Sequence, residues 1–227
     1  MKNLGKIVLH IPAREGSKRV PRKNMRLMNG KPMIGYTIEA SILANITKEL
    51  YVNTDSDEIR ILVENKYPSF KIYTRDKELA NDTASSDQFN YDIINKLNPD
   101  TLIMINPVCP LIEANDIVQA LTYYSTSDCD TLITSNSTQM QTFCDGVPVN
   151  INVDEQLAPS QENKNITILN WAITIWDVKS FIERMKKQNF AVLGDKRNFY
   201  DIDSIKGVKV SEEKDFLFAE MILKSKN

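Results

Sequence analysis

The sequence has few residues of the kind that build zinc or thiol-based redox sites. It contains a single histidine, His10, and three cysteines, Cys109, Cys129 and Cys144. The cysteines are widely separated and odd in number, and no pair has the short spacing that zinc sites use. This pattern predicts reduced thiols, no zinc site and a cytoplasmic location.

A large charge imbalance and a long apolar run are also missing. The 28 Lys and Arg residues nearly balance the 30 Asp and Glu residues, which leaves a net charge of −2. The overall charge therefore gives no reason to expect binding to nucleic acid or to an acidic membrane surface. No apolar run approaches the roughly 20 residues that span a bilayer, and residues 1–5 are too short and polar for a signal peptide.

The apolar segments alternate between strand and helix patterns as far as residue 134. Strands are predicted at residues 6–11, 50–53, 70–73, 102–105 and 131–134, with helical spacing between them. Such an alternation predicts a three-layer α/β/α fold with a mostly parallel sheet. Ligands of such sheets bind at the carboxyl ends of the strands.

The pattern changes after residue 135. We interpret residues 1–227 as a single domain in which residues 137–169 form a projecting hairpin and loop insertion, an arm suited to a subunit contact. The later predicted elements are a strand at 166–176, a helix at 178–187, extended segments at 190–193 and 200–210, and a closing helix at 212–224.

One loop concentrates positive charge directly after the first predicted strand. Residues 12–24 carry five cations and one acid, and they include Gly16 and Ser17. Neighbouring cations repel one another unless an anion lies among them, and small residues let backbone N–H groups approach a phosphate closely. Neither the nucleoside-triphosphatase loop nor the dinucleotide fingerprint is present. A solvated basic loop is the alternative, but the position after a buried strand favours a polyphosphate clamp.

Four residues could act in catalysis or in sugar binding, but their sequence context favours structural roles. His10 lies within the first strand, which favours a core position. Cys109 has no neighbouring histidine or helix start, so an ordinary thiol is expected. Trp171 and Trp176 flank alternating apolar residues, which favours core or interface positions for both over a sugar-stacking platform.

Three ordered blocks resemble the CMP-N-acylneuraminate synthetases and their cytidylyltransferase relatives. The blocks are residues 11–18 with Pro21, Lys23, Asn24, 30–32 and 37–40, then residues 53–59, and then residues 75–86. The resemblance implies a nucleotide-diphospho-sugar-transferase-like fold, usually dimeric. It also implies that CTP is joined to a 2-keto sugar acid, with release of pyrophosphate in the presence of Mg²⁺.

The resemblance assigns roles position by position. Arg14, Lys18 and Lys23 are the implied catalytic cations. The implied nucleotide ligands are Ala13, Arg14, Ser17, Lys18, Lys23 and Asn24, with Arg75, Ala84 and Ser86 around the cytosine and ribose. This agrees with the clamp inferred from the loop, because fixed cations stabilise the charge that develops on a leaving pyrophosphate.

The acceptor side departs from the family pattern. The implied acceptor ligands are Asn106, Gln161 and Asn170. Where relatives have Gln-Pro-Thr-Ser-Pro-Leu-Arg, residues 106–112 lack both hydroxyls and the Arg, and Ser160 replaces the Arg that precedes Gln161. Each lost charge-assisted hydrogen bond is worth ~1.5–3 kcal/mol, so an acceptor other than sialic acid itself is expected.

The metal position departs from the pattern as well. Relatives place two Mg²⁺-binding aspartates before the closing helix, and the same spacing here falls on Lys209 and Ser211. Asp201 and Asp203 form a separate Asp-x-Asp whose carboxylates share one face of a strand. We expect Asp201 and Asp203 to be surface or outer carboxylates and Lys209 to point into the nucleotide site, with Mg²⁺ binding by Asp201 and Asp203 as the alternative.

Three functions from different classes therefore remain open. The favoured one is a cytidylyltransferase that acts on a sialic-acid-like nonulosonic acid or on another acidic acceptor such as a phosphonate. The second is a nucleotide-binding paralogue that has lost catalysis. The third is a purine-using nucleotidyltransferase of similar fold.

Overall fold

A computed structural model of the chain describes residues 1–17 and 19–226. Its principal strands are β1 (Ile7–Pro12), β2 (Leu27–Met28), β3 (Lys31–Pro32), β4 (Leu50–Thr54), β5 (Lys71–Thr74), β6 (Thr101–Ile105), β7 (Thr131–Thr138), β8 (Phe143–Cys144), β9 (Val147–Pro148), β10 (Ile166–Asp177) and β11 (Arg197–Asp201). Its helices are α1 (Met33–Ala44), α2 (Asp57–Lys66), α3 (Ser86–Leu97), α4 (Ala114–Thr126), α5 (Val178–Gln188) and α6 (Glu213–Ser225), with short 3₁₀ turns at Lys77–Leu79 and Ser160–Glu162.

Seven strands form the central sheet, in the order β11-β7-β10-β6-β1-β4-β5. Strand β1 pairs in parallel with β4 and β6, β4 pairs in parallel with β5, and β11 pairs in parallel with β7. Strand β10 runs antiparallel to both of its neighbours. The predicted mostly parallel sheet is confirmed.

The side chains of β1 show why the sheet has a helical layer on each face. Leu9 and Ile11 join a core that includes residues of α1, α2 and α4, whereas Val8 joins one that includes residues of α3 and α5. Alternate residues of a strand point to opposite faces, so a continuous apolar strand requires cover on both sides. The three-layer α/β/α prediction is confirmed.

The strand directions bring distant segments to one edge of the sheet. Parallel strands β1, β4 and β6 end together there, at Pro12, Thr54 and Ile105. Because β10 is antiparallel to β6, with Ile173 opposite Ile105, the residues that precede Ile173 lie at the same edge. The basic loop after β1 therefore meets a segment about 160 positions later in the chain.

The predictions of extended segments at residues 190–193 and 200–210 are wrong. Residues 191–194 form a turn, in which the Gly194 N–H donates to the Ala191 carbonyl at 3.1 Å. The backbone N–H groups of Ala191 and Val192 donate to the Asp87 carboxylate at 2.5 and 2.8 Å. The last strand spans Arg197–Asp201 instead of residues 200–210. It ends because the Asp203 carboxylate accepts the Ile205 N–H at 2.8 Å and begins a turn.

Within the predicted insertion, β8 and β9 form a hairpin and pair in an antiparallel manner. Asp145 and Gly146 both have positive φ, of 49° and 82°, as the tight turns of two-residue hairpins require. Residues 137–169, the predicted arm, also contain the outer ends of β7 and β10, which pair with each other there. Several of its apolar side chains are exposed, namely Met140, Phe143, Val147, Val149, Val153, Leu157 and Ile168.

The cysteines differ in their exposure to solvent. All three cysteines are free, with Cys109 and Cys129 buried and Cys144 exposed. Burial raises the pKa of Cys109 to about 12, so its thiol stays protonated near neutral pH and is a weak nucleophile, as the sequence predicts. Within residues 1–17 and 19–226, no helix is long and apolar enough to cross a membrane.

His10 is fully buried, as expected, and it makes the stability of the fold depend on pH. Burial, helped by the nearby Arg75 charge, lowers its pKa from 6.5 to about 3. Between these pH values the unfolded chain binds a proton that the folded chain does not, so the free energy of unfolding falls as the pH drops below 6.5. We expect the His10→Leu variant to lose less stability than the wild type between pH 6.5 and 4, as measured by urea unfolding. Parallel curves for the two proteins would contradict this result.

Candidate active site

Two adjoining cavities lie at the carboxyl edge of the sheet. The smaller one, about 450 Å³, is lined mainly by the basic loop, including Ser17, Lys23 and Asn24. The larger one, about 590 Å³, is lined by Arg75, Ser86, Asp87, Phe89, Met104, Trp171, Val192, Leu193 and Lys209. Pro12, Arg14 and Asn106 line both, so the two cavities form one continuous candidate site.

Hydrogen bonds to β4 fix the start of the basic loop. The Ala13 N–H donates to the Asn53 carbonyl at 2.9 Å, and the Thr54 hydroxyl donates to the Ala13 carbonyl at 2.5 Å. The Glu15 N–H donates to the Asp55 carboxylate at 3.0 Å. Ala13 is itself buried, so it contributes to the site through its backbone.

Lys23 lies among several cations. Its Nζ donates to the Val210 carbonyl at 2.9 Å. Burial is the main cause that lowers the pKa of Lys23, and the nearby charges of Arg19, Lys209 and Arg14 lower it further. A cation whose charged form is disfavoured in this way gains most when an anion binds beside it. The loop therefore holds a group of cations that a bound polyanion would stabilise.

Arg14 and Asn24 contribute different groups to the same region. The Arg14 guanidinium pairs with the Asp82 carboxylate at 2.8 Å and donates to the Ala80 carbonyl at 3.3 Å. The Asn24 amide nitrogen donates to the Arg14 carbonyl at 3.4 Å, while its amide oxygen is buried with no partner among the described residues. A buried acceptor beside a cavity suits a hydroxyl or amino donor of a ligand. Lys18, the remaining predicted phosphate ligand, lies outside the described residues.

Arg75 forms a rigid floor for the larger cavity. Its Nε donates to the Asn53 side-chain oxygen at 2.8 Å, and its Nη2 donates to the Asn53 carbonyl at 3.0 Å. The guanidinium lies 4.6 Å from the centre of the Phe89 ring. Burial lowers the pKa of Arg75 to about 10, so it remains charged at neutral pH.

The amino terminus of α3 lies beside Arg75. Ser85 caps this helix through a reciprocal pair of hydrogen bonds with Gln88, and Ser86 lines the larger cavity in its first turn. The Ala84 N–H donates to the Asn81 side-chain oxygen at 2.8 Å, and Ala84 lines neither cavity. The first turn of a helix has free N–H groups and a positive partial charge, which favour hydrogen bonds to ligand oxygens.

The three predicted acceptor residues are not brought together. Asn106 lines both cavities, whereas Gln161 lies on the arm, outside either one. Asn170 is buried, and its amide accepts from the Thr134 hydroxyl at 2.7 Å and donates to the Asn136 side-chain oxygen at 2.9 Å. Its observed contacts hold strands together, so any effect of Asn170 on a ligand would be indirect.

Sequence reasoning missed the apolar wall of the larger cavity. Trp176 packs in the core as expected, but Trp171 lines the cavity with Val192 and Leu193. Trp171 has a φ of 59°, in the left-handed region that Trp rarely adopts, within a register shift between Leu169 and Thr174. Such irregularities in a strand often occur near functional sites, yet period-two alternation gives no sign of this one.

The residues of the site do not fit a protein-held Mg²⁺ ion. Asp201 and Asp203 both lie outside the two cavities. Asp201 accepts hydrogen bonds from the Ser135 and Ser137 hydroxyls, and Asp203 caps the turn that follows the strand. Lys209 lines the larger cavity, as expected. Throughout residues 1–17 and 19–226, no group of three or more His, Cys, Asp or Glu side chains is arranged to hold a metal ion. Hard divalent ions prefer several oxygen ligands, which these residues do not supply.

Comparisons of sequence place the chain among enzymes that use CTP. The family model described as "Cytidylyltransferase" matches residues 8–206. Over 234 aligned positions the chain is 28% identical to the post-translational flagellin modification protein B of Campylobacter coli, covering 99% of this chain and 97% of that protein. It is 30% identical to the CMP-N,N′-diacetyllegionaminic acid synthase of Legionella pneumophila, with 78% and 81% covered. A shorter match, 39% identical, links it to the pseudaminic acid cytidylyltransferase of Campylobacter jejuni, with 48% and 49% covered.

Comparisons of structure agree on the fold. A CMP:2-keto-3-deoxy-manno-octonic acid synthetase in complex with CTP has a TM-score of 0.70 and 14% identity, covering 98% of this chain and 100% of that one. A 4-diphosphocytidyl-2C-methyl-D-erythritol synthase from Anaerococcus prevotii has a TM-score of 0.69 and 13% identity, with the same coverage. At these identities the likeness concerns the fold alone, and it confirms the predicted nucleotide-diphospho-sugar-transferase-like fold.

Proposed function

The chain belongs to the cytidylyltransferase family, and we propose that its acceptor is a nonulosonic acid that carries two N-acyl groups. The observation that carries this proposal is the composition of the larger cavity. Its lining combines cations with the apolar side chains of Trp171, Val192 and Leu193. A di-N-acylated sugar acid has acyl methyl groups that such an apolar wall accommodates, and relatives named for legionaminic and pseudaminic acids support this class.

The reaction proceeds by direct transfer of the cytidylyl group. A hydroxyl oxygen of the sugar acid forms a bond to the α-phosphorus of CTP, and the bond from that phosphorus to the bridging oxygen breaks. Pyrophosphate leaves with the electron pair, and the hydroxyl proton passes to water. Arg14 and Lys23 line the smaller cavity. With the triphosphate bound there, their charges would stabilise the charge that develops on the leaving group.

The nucleoside occupies the part of the larger cavity near α3. Arg75 and the first turn of α3 at Ser86 present donors to the oxygens of cytosine and ribose. The Asn24 amide oxygen, at the smaller cavity, accepts from a ligand hydroxyl or amino group there. Because β4 holds the Arg75 guanidinium in place, little side-chain freedom is lost when the nucleotide binds. Asn106 borders both cavities and lies where the nucleotide meets the acceptor.

A panel of acceptors tests the choice of acid. The protein is incubated with CTP and with N,N′-diacetyllegionaminic acid, N,N′-diacetylpseudaminic acid, N-acetylneuraminic acid or a phosphonate, and pyrophosphate release is measured. We expect the highest kcat/KM with one of the diacylated acids, by about tenfold or more over N-acetylneuraminic acid. A preference for N-acetylneuraminic acid or for the phosphonate would overturn the proposed acceptor class.

Trp171 is expected to act on the acceptor and not on CTP. The Trp171→Ala variant removes apolar surface from the wall, so KM for the acid should rise by roughly tenfold, about 1.4 kcal/mol, with little change in the Kd for CTP. The Trp171→Phe variant should retain most of the affinity. An equal loss of CTP affinity in the Trp171→Ala variant would contradict this assignment.

The arm supports a homodimer. Phe143, Val147, Leu157 and other exposed apolar side chains of the arm form a surface that a second copy of the chain would cover. We expect a dimer by light scattering and a monomer for the Phe143→Asp and Val147→Asp double variant. Ile61→Asp, at an exposed apolar position on α2, serves as the control and should remain dimeric. A monomeric wild-type protein would contradict the dimer.

A cytoplasmic location completes the proposal. The free thiols, two of them buried, suit a reducing compartment, and CTP is an intracellular substrate.

A further inference from the structure

Lys209 is a cation that the structure leaves available at the edge of the site. It lies on the segment between β11 and α6 and lines the larger cavity together with Arg14 and Asn106. Its side chain is exposed, and it has no hydrogen-bond or ion-pair partner among the residues that the structure describes. The Lys209 charge therefore lies at the cavity and forms no ion pair or hydrogen bond that stabilises the fold among the described residues.

The backbone around Lys209 is fixed from both sides. The Val210 N–H donates to the Val108 carbonyl at 2.8 Å, and the Val210 side chain is fully buried. Before Lys209, the backbone passes close over the amides of Asn136 and Asn170. A Cβ atom on Gly207 would lie only 2.6 and 2.7 Å from their side-chain atoms. The position of Lys209 is thus set by packing and hydrogen bonds on either side of it.

Lys209 adds to a group of like charges. Its charge, with those of Arg19 and Arg14, helps burial to lower the pKa of Lys23. Lys209 and Lys23 also both act on the pKa of the buried Cys109 thiol. Cations that repel one another at a shared cavity are stabilised together when a polyanion binds between them.

Carboxylates are scarce at the same place. Of the described residues that line the two cavities, Asp87 is the only acid. Its carboxylate already accepts the N–H groups of Ala191 and Val192. A divalent ion at the mouth of this cavity would meet ammonium groups in place of oxygen ligands.

We propose that the Lys209 ammonium binds the phosphate chain of CTP and supplies the positive charge that carboxylate-held Mg²⁺ would otherwise supply at this edge of the sheet. The proposal rests on the cytidylyltransferase function above. Any Mg²⁺ that arrives with CTP is part of the substrate, and among the described residues no group of three or more His, Cys, Asp or Glu side chains is arranged to hold it. Triphosphate binding therefore depends on Lys209 and not on metal.

Calorimetric titration with CTP tests this inference, once in EDTA and once with Mg²⁺. The wild-type protein should bind CTP in EDTA with a Kd within about threefold of the value with Mg²⁺. The Lys209→Ala variant should bind about 10- to 100-fold more weakly in both buffers, because a charge-assisted contact to phosphate is lost. The Lys209→Arg variant should recover most of the affinity.

Lys214→Ala is the matched control. Lys214 is an exposed lysine of α6 that pairs with Glu212 and lines neither cavity, so its replacement should leave the Kd unchanged. Equal thermal unfolding temperatures without CTP would confirm that the Lys209 variants fold. Wild-type protein that binds CTP only with Mg²⁺, or a Lys209→Ala variant that binds CTP normally in EDTA, would overturn the inference.

Parallel measurement of pyrophosphate release separates this inference from the proposed function. Normal turnover by the Lys209→Ala variant would overturn the role of Lys209 and leave the transferase function standing. CTP binding that depends on Lys209, without turnover on any acid, would support the inference and overturn the proposed function.

Discussion

Replacing Arg14 with alanine is expected to lower kcat/KM for CTP by about 100-fold. Arg14 lines both cavities, and its guanidinium can form two charge-assisted hydrogen bonds to phosphate oxygens. A 100-fold loss corresponds to ~2.7 kcal/mol of transition-state stabilisation, close to the lower limit of ~3 kcal/mol for two such bonds. Steady-state pyrophosphate release at a saturating concentration of the acid measures the effect.

Arg22 provides a matched control within the same loop. It is largely exposed, it pairs with Glu58 and it lines neither cavity. Surface ion pairs contribute little, ~0–1 kcal/mol, so Arg22→Ala should change neither kcat/KM nor stability appreciably. If both variants lost activity equally, the effect would reflect the total charge of the loop, and the assignment of Arg14 as a specific phosphate ligand would be wrong.

Replacing Trp176 with alanine is expected to destabilise the fold by ~3–5 kcal/mol. The Trp176 side chain is fully buried in β10 and packs edge-on against Phe181, with ring centres 5.9 Å apart. Its indole N–H also donates to the Val192 carbonyl at 2.8 Å. This hydrogen bond connects the turn that contains Val192 to strand β10. The alanine variant loses both the packing and this hydrogen bond. Urea unfolding monitored by circular dichroism measures the resulting decrease in the free energy of unfolding.

Two further variants separate packing from the hydrogen bond. Trp176→Phe keeps an aromatic ring in the core but leaves the Val192 carbonyl without its donor, so we expect a smaller loss of ~1–2 kcal/mol. Trp171→Ala, at the half-buried tryptophan of the cavity, should cost less than Trp176→Ala in stability and more in acceptor binding. Equal destabilisation by the two alanine variants would contradict the positions described for the two side chains.

Local sequence was sufficient to predict most strands of the sheet and the group of cations that lines the smaller cavity. The strand at β1 and the cations that follow it are contiguous, so an apolar run followed by Arg14 and Lys23 identifies both the element and its chemistry. Arg75 and Ser86 also follow strands or begin helices, where α/β folds place their ligand contacts. These residues reach the site through the short connections that sequence patterns describe well.

The apolar lining of the larger cavity depends on long-range contacts that no local pattern records. Trp171 lines the cavity because β10 is antiparallel and because its backbone turns irregularly at that residue. Val192 lines it because Asp87, about 100 positions earlier in the chain, accepts its N–H. Asn170 is buried for a similar reason, since its partners Thr134 and Asn136 lie on another strand.

The transfer reaction itself provides the most direct test of the central claim. The purified protein is mixed with CTP and N,N′-diacetyllegionaminic or N,N′-diacetylpseudaminic acid, and the products are followed by phosphorus NMR and mass spectrometry. We expect a CMP-linked sugar acid that contains one phosphodiester, with one pyrophosphate released per acid consumed. CTP that remains intact with every acid, under conditions where calorimetry shows both ligands bound, would contradict it.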